Sequence, residues 1–199
     1  MRVNTADRQE DLACNRRLDA QLAIWAGGDF HEIARQNVVM AEALCTADDP
    51  HPGERVLDVA CGSGTATLVA ARRYCEVTGI DYVPALIERA RMRAAADPLD
   101  VEFRVGDAQA LPFADAAFDV VLSVYGVQFA PDQQRAASEL LRVCRPGGRI
   151  ALAARCRRAG AATSSPRMAA TSRPHPGSSQ RFAGVPATAS PNSSTPAPA

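Results

Sequence analysis

Three carboxylates stand in or just beyond short apolar runs. They are Asp58 in Arg55-Val56-Leu57-Asp58-Val59-Ala60-Cys61-Gly62-Ser63-Gly64-Thr65, Asp81 after the run from Cys75 to Ile80, and Asp107 in Gly106-Asp107-Ala108. Each is expected near the carboxyl end of a strand, where open α/β sheets take their ligands. Gly62 and Gly64 lack a Cβ, so a ligand can lie close against the backbone there. Asp58 restricts the ligand further. A nucleotide site offers backbone donors to phosphate, and a carboxylate beside a pyrophosphate repels it. A ligand with ammonium or sulfonium charge and no phosphate is attracted instead.

Two familiar glycine-loop readings fail on residue type. A P-loop needs a lysine after its second glycine, and the 22 basic residues of this chain are all arginine. The third glycine of G-x-G-x-x-G is replaced by Thr67, which with Asp58 disfavours an NAD-dependent oxidoreductase, the more distant alternative.

The surrounding pattern supplies elements to position these groups. An apolar strand from Arg55 to Ala60 is followed by a helix from Thr65 to about Arg73, the opening of a βαβ unit. A second strand, Cys75 to Ile80, ends at Asp81, 17 positions beyond Gly64 and near the roughly 20 expected of a ribose-binding carboxylate. Pro84 opens a helix that stops at Asp97-Pro98, and a third strand runs from Val101 to Val105. The fourth strand, Phe118 to Val124, is nearly all apolar, as for a strand covered on both faces. Pro131 and Asp132 open another helix, and a turn at Arg145-Pro146-Gly147-Gly148 precedes a fifth strand, Arg149 to Leu152. Upstream, Asp29 suits an N-cap, and the positions from Phe30 to Cys45 show helical spacing.

From about Trp25 to about Leu152 the chain resembles the class I S-adenosylmethionine-dependent methyltransferases, in particular the small-molecule type 11 group related to quinone-biosynthesis enzymes. The resemblance rests on D-x-A-C-G-S-G, the strand-end Asp81, Gly106-Asp107-Ala108, Leu111-Pro112-Phe113 and Arg145-Pro146-Gly147-Gly148. It implies a Rossmann-like, doubly wound parallel sheet in the order 3-2-1-4-5 and S-adenosylmethionine as cofactor. Asp58, Ala60, Cys61, Gly62 and Gly64 then line the donor site. Asp81 takes the ribose hydroxyls and Tyr82 packs on the adenine. Asp107 and the Ala108 N–H meet the adenine edge, and Val124 faces the methyl group and acceptor. The N-terminal segment, residues 1–29, with Trp25, Phe30 and His31, is expected to form a lid over the cofactor. No catalytic residue is assigned; His31, His51 and Tyr125 are the candidate bases.

Composition narrows the partners. Before Ala153, 22 acidic residues outnumber 16 arginines, which argues against nucleic acid; a small-molecule acceptor is what the resemblance implies. No apolar run is long enough for a membrane span and no signal peptide is visible, so a cytoplasmic location is expected. The six cysteines have no metal-ligand spacing. Residues 30–152 make one domain. From Ala153 to Ala199 the chain is mostly Ala, Ser, Pro, Arg, Gly and Thr, with almost no large apolar residue and no acid, a composition expected to be disordered. The resemblance implies two further strands, which this segment does not resemble. The chain is therefore expected to be truncated, by a frameshift near Leu152, leaving the fifth strand as an open edge prone to association. On that expectation a cofactor-binding remnant without turnover is an alternative, and the tail's arginines could instead bind an acidic partner.

Overall fold

The computed structural model describes Ala23, Trp25, residues 37–97, Leu99, and residues 101–155 and 166–172. The expected N-terminal lid residues Phe30 and His31, and most of the tail, lie outside these. The elements in chain order are α1 (Val38–Asp48), β1 (Arg55–Val59), α2 (Thr65–Ala71), β2 (Glu76–Asp81), α3 (Pro84–Ala95), β3 (Val101–Val105), β4 (Phe118–Val124), a 3-10 turn (Val127–Phe129), α4 (Gln133–Val143), β5 (Cys144–Arg155) and β6 (Pro166–Ser172). They form one sheet in the order β3-β2-β1-β4-β5-β6. The first five strands are parallel, and β6 pairs antiparallel with β5.

Side-chain alternation along the central strands divides the core between the two faces. Val56, Val120 and Leu122 pack with Leu44 of α1 and Val69 of α2. Leu57, Val59 and Val121 point the other way and pack with Leu140 and Val143 of α4. A third cluster joins Leu68 of α2 and Ile87 and Ala90 of α3 to Phe103 of β3. Asp58 is two residues from Val56 and therefore shares the face covered by α2. The Asp132 carboxylate caps α4 by accepting from the Arg135 N–H at 2.9 Å.

Two expectations are corrected. The Arg145-Pro146-Gly147-Gly148 segment does not end an element before a short strand. β5 begins at Cys144, and its register against β4 shifts between Phe118 and Val120, so these residues form an irregularity inside one longer strand. Nor is β5 an open edge, and the segment after Leu152 is not wholly without structure. β5 continues to Arg155, and β6 pairs with it from Arg149↔Ser172 to Arg155↔Pro166. The unpaired backbone groups of an edge strand recruit a neighbour through the main chain, and Pro166, first in its strand, occupies a position that tolerates a missing N–H.

Candidate functional site

The carboxyl ends of β1, β2 and β4 surround a cavity of about 300 Å³. A smaller one of about 30 Å³ adjoins it towards β3. Ala60, Asp81, Tyr82, Gly126 and Phe129 line both, so the two form one crevice running across the strand ends.

Asp58 is 1% exposed yet contributes to the wall of the larger cavity. The Thr67 hydroxyl donates to its Oδ2 at 2.6 Å, while Oδ1 is buried with no partner. Burial, reinforced by the nearby Asp81 charge, pushes its carboxyl up to about 7 against the opposing Thr67 hydrogen bond. Asp81 is held differently. Its Oδ2 accepts from the Gly62 N–H and its Oδ1 from the Val83 N–H, both at 2.9 Å. Burial raises its pKa, and these backbone donors oppose the rise. The carboxylate therefore pins the glycine loop to the end of β2 while it lines the crevice.

The other sequence-expected residues divide between the two cavities. Cys61, Gly62 and Val124 line the larger one. Burial holds the Cys61 thiol well above its ordinary pKa, so it is a small neutral wall residue and no nucleophile. Asp107 and Ala108 line the smaller cavity. Gln109 braces Asp107: its side-chain amide donates to Oδ1 at 3.1 Å and Oδ2 at 3.0 Å. Its own oxygen accepts from the Asp132 N–H at 2.9 Å. The Tyr82 hydroxyl is buried without a partner, and burial raises its pKa to about 12.

Gly64 lines neither cavity. Its φ is +80°, and a Cβ there would meet the Phe103 ring at 3.1 Å and Ala90 at 3.2 Å, so it serves the packing of the loop against α3 and β3. Of the candidate bases, Tyr125 lines the larger cavity, His51 lines neither, and His31 lies outside the described residues.

Some contacts around the cavity escaped the sequence reading. Thr67 looked like a departure from a glycine pattern and is the hydroxyl that holds Asp58. Ser123 is fully buried and donates to the Val59 carbonyl at 2.7 Å while accepting from the Val127 N–H at 3.1 Å. It thereby fastens the corner after β4 to the end of β1. Trp25 packs edge-on to Phe129, with ring centroids 5.2 Å apart, and both line the cavity with Asn37 and Gln128. The signal that could have found Thr67 is the need of a buried carboxylate for a hydroxyl donor; Trp25 is expected over the cofactor from its place in the N-terminal segment, and its pairing with Phe129 has no local signal.

The β1 and β4 corners are packed closely. Ala60 and Tyr125 adopt φ values of +55° and +60°, and a Cβ on Gly126 would meet the Ala60 side chain and would lie 2.6 Å from its carbonyl oxygen. Gly126→Ala is expected to destabilise the fold by about 1–3 kcal/mol, measured by urea unfolding. It should also weaken ligand binding, because the two strand ends must separate.

A parallel sheet whose strand order reverses beside β1, with a glycine loop after β1 and a carboxylate after β2, defines a Rossmann-like nucleoside-binding domain. Residues 57–152 match the family model described as "Methyltransferase domain". The methyl donor of this class is S-adenosylmethionine. The chain is similar to an uncharacterised protein of Mycobacterium tuberculosis, with 45% identity over 152 residues, 75% of this chain and 54% of that one. It is 40% identical to the demethylmenaquinone methyltransferase of Deinococcus radiodurans over 114 residues, covering 56% of this chain and 45% of the relative. The chain thus spans about half the length of these curated relatives. Among solved structures, it resembles a geranyl diphosphate methyltransferase in complex with GPP and sinefungin, with a TM-score of 0.56 and 27% identity. That match covers 59% of this chain and 45% of the other.

The crevice fits such a donor. Asp58, in the wall of the larger cavity, has a buried oxygen without a partner, and Asp81 and Tyr82 line both cavities. Among the described residues no cluster of three or more side chains could hold a metal ion, and no helix is long and apolar enough to cross a membrane.

Proposed function

We propose that the chain is an S-adenosylmethionine-dependent methyltransferase acting on a small-molecule acceptor. The observation that carries this reading is the unpartnered Oδ1 of Asp58 in the wall of the larger cavity. A buried carboxylate with an idle oxygen is costly by itself and becomes favourable when a cation reaches it.

When bound, the donor supplies a methyl group on a sulfonium, ready for in-line displacement. The protein's part is to hold the partners. Asp58 receives the amino-acid ammonium, Asp81 receives the ribose hydroxyls, and Tyr82, Asp107 and the Ala108 N–H enclose the adenine. Positioning of this kind supplies much of the acceleration of a displacement between two bound partners. Trp25, Tyr125 and Phe129 give the remaining wall an aromatic face, and both charges on it are carboxylates, which suits an uncharged acceptor with an apolar or aromatic part. Tyr125 is the titratable group placed to orient the acceptor's nucleophilic atom.

Calorimetric titration with S-adenosylhomocysteine, followed by competition with NAD, tests the reading. Saturable heat that NAD does not displace is the expected result; no heat, or displacement by NAD, would overturn it. Transfer of a labelled methyl group to neutral aromatic acceptors, and not to their phosphorylated counterparts, then tests the acceptor class.

A further inference from the structure

Arg93, near the end of α3, reaches the glycine loop from behind. Its Nη1 donates to the Ser63 carbonyl at 2.6 Å, the Ser63 hydroxyl oxygen at 3.1 Å and the Thr65 hydroxyl oxygen at 3.2 Å. All three acceptors are neutral, and among the described residues no carboxylate forms an ion pair with Arg93. Burial first and the Arg72 charge second lower its pKa, against the opposing Asp97 charge, as for a cation partly withdrawn from water.

The hydrogen bonds also fix polarity. A guanidinium only donates, so both hydroxyl oxygens act as acceptors towards it and each keeps its own hydrogen to give elsewhere. Ser63 and Thr65 both line the larger cavity, and among the described residues neither hydroxyl has an acceptor. The loop therefore presents two hydroxyl donors to the cavity, backed by a cation. Asp58 and its idle oxygen line the same cavity. One wall thus pairs a positive feature with a negative one, the complement of a zwitterionic amino acid.

Resting on the donor site proposed above, we infer that Arg93 is a positioning residue that turns Ser63 and Thr65 into a cradle for the ligand's amino-acid carboxylate. The chain thereby selects nucleosides that carry an amino acid over those that do not.

The test compares two thioether nucleosides by calorimetry: S-adenosylhomocysteine, and 5′-methylthioadenosine, which lacks the amino acid. Arg93→Met is expected to weaken the first about tenfold, the scale of one charge-assisted hydrogen bond, and to leave the second unchanged. Arg93→Lys should recover most of the loss. Thr65→Val, which removes one donor and leaves Arg93 in place, should weaken S-adenosylhomocysteine alone by a few-fold. Equal losses for both ligands, or no loss for either, in Arg93→Met or Thr65→Val would overturn the inference and leave the donor site standing. Failure of the unaltered chain to bind either ligand would overturn both.

Discussion

Asp81→Ala is expected to lower the affinity for S-adenosylhomocysteine by about 100-fold or more, read by calorimetric titration against the unaltered chain. Two contributions combine. The carboxylate lies at the join of the two cavities, where two ribose hydroxyls would each donate a charge-assisted hydrogen bond of about 1.5–3 kcal/mol. It also anchors the loop through the Gly62 N–H and the next turn through the Val83 N–H. Alanine leaves both backbone donors without their acceptor at the site that must stay ordered. Asp81→Asn separates the two effects. Its one remaining oxygen can keep one backbone donor and accept from one ribose hydroxyl, whereas its amide nitrogen only donates and serves neither the other backbone N–H nor the other hydroxyl. Its affinity should fall between those of the other two chains. Melting curves taken beside the titrations show whether the alanine chain is folded, and equal heats from all three chains would remove Asp81 from the site.

That Asp81 could be singled out from sequence follows from how parallel sheets are built. A strand covered on both faces must be apolar along its length, so a carboxylate at its end is conspicuous. The same reasoning places β4 at Phe118–Val124, where the structure has it. What stayed hidden depends on partners distant in sequence or on the main chain alone. The Gly64 contact with Phe103 and Ala90 joins three elements and cannot be separated, by residue type, from a glycine that lines a ligand. Thr67 was judged against a glycine motif, whereas its place is decided by the Asp58 carboxylate nine residues earlier. β6 carries no alternation of large apolar and polar residues, and its pairing with β5 is a matter of backbone hydrogen bonds. The Trp25–Phe129 pair closes the cavity across more than 100 residues of chain, a contact that no local pattern announces.

Asp58→Asn is expected to make the ligand-free protein more stable at pH 8 and its binding both weaker and insensitive to pH. In the fold, burial first and the Asp81 charge second push the carboxyl up to about 7, whereas an unfolded chain ionises it at about 4. Between those values the folded chain keeps a proton that the unfolded chain has lost. Folding stability therefore declines as pH rises through this window, and the full penalty applies above about 7. Asparagine keeps an oxygen for the Thr67 hydroxyl and has no charge to bury. It should add up to about 4 kcal/mol to the urea-unfolding free energy at pH 8 and much less at pH 4. Binding runs the other way. The ligand's ammonium needs the ionised carboxylate, so affinity for S-adenosylhomocysteine in the unaltered chain should climb up to about tenfold per pH unit below 7 and level off above it. In Asp58→Asn it should be flat from about pH 5.5 to about pH 7.5, and about tenfold weaker or more at the upper end. A flat profile in the unaltered chain would mean that the unpartnered oxygen of Asp58 does not meet the ligand's charge. A stability gain at pH 8 accompanied by undiminished binding would mean the same. If both expectations hold, the strain of an ionised, half-satisfied carboxylate in the empty crevice is relieved when the cation arrives, which links the instability of the free chain to its affinity for a positively charged nucleoside.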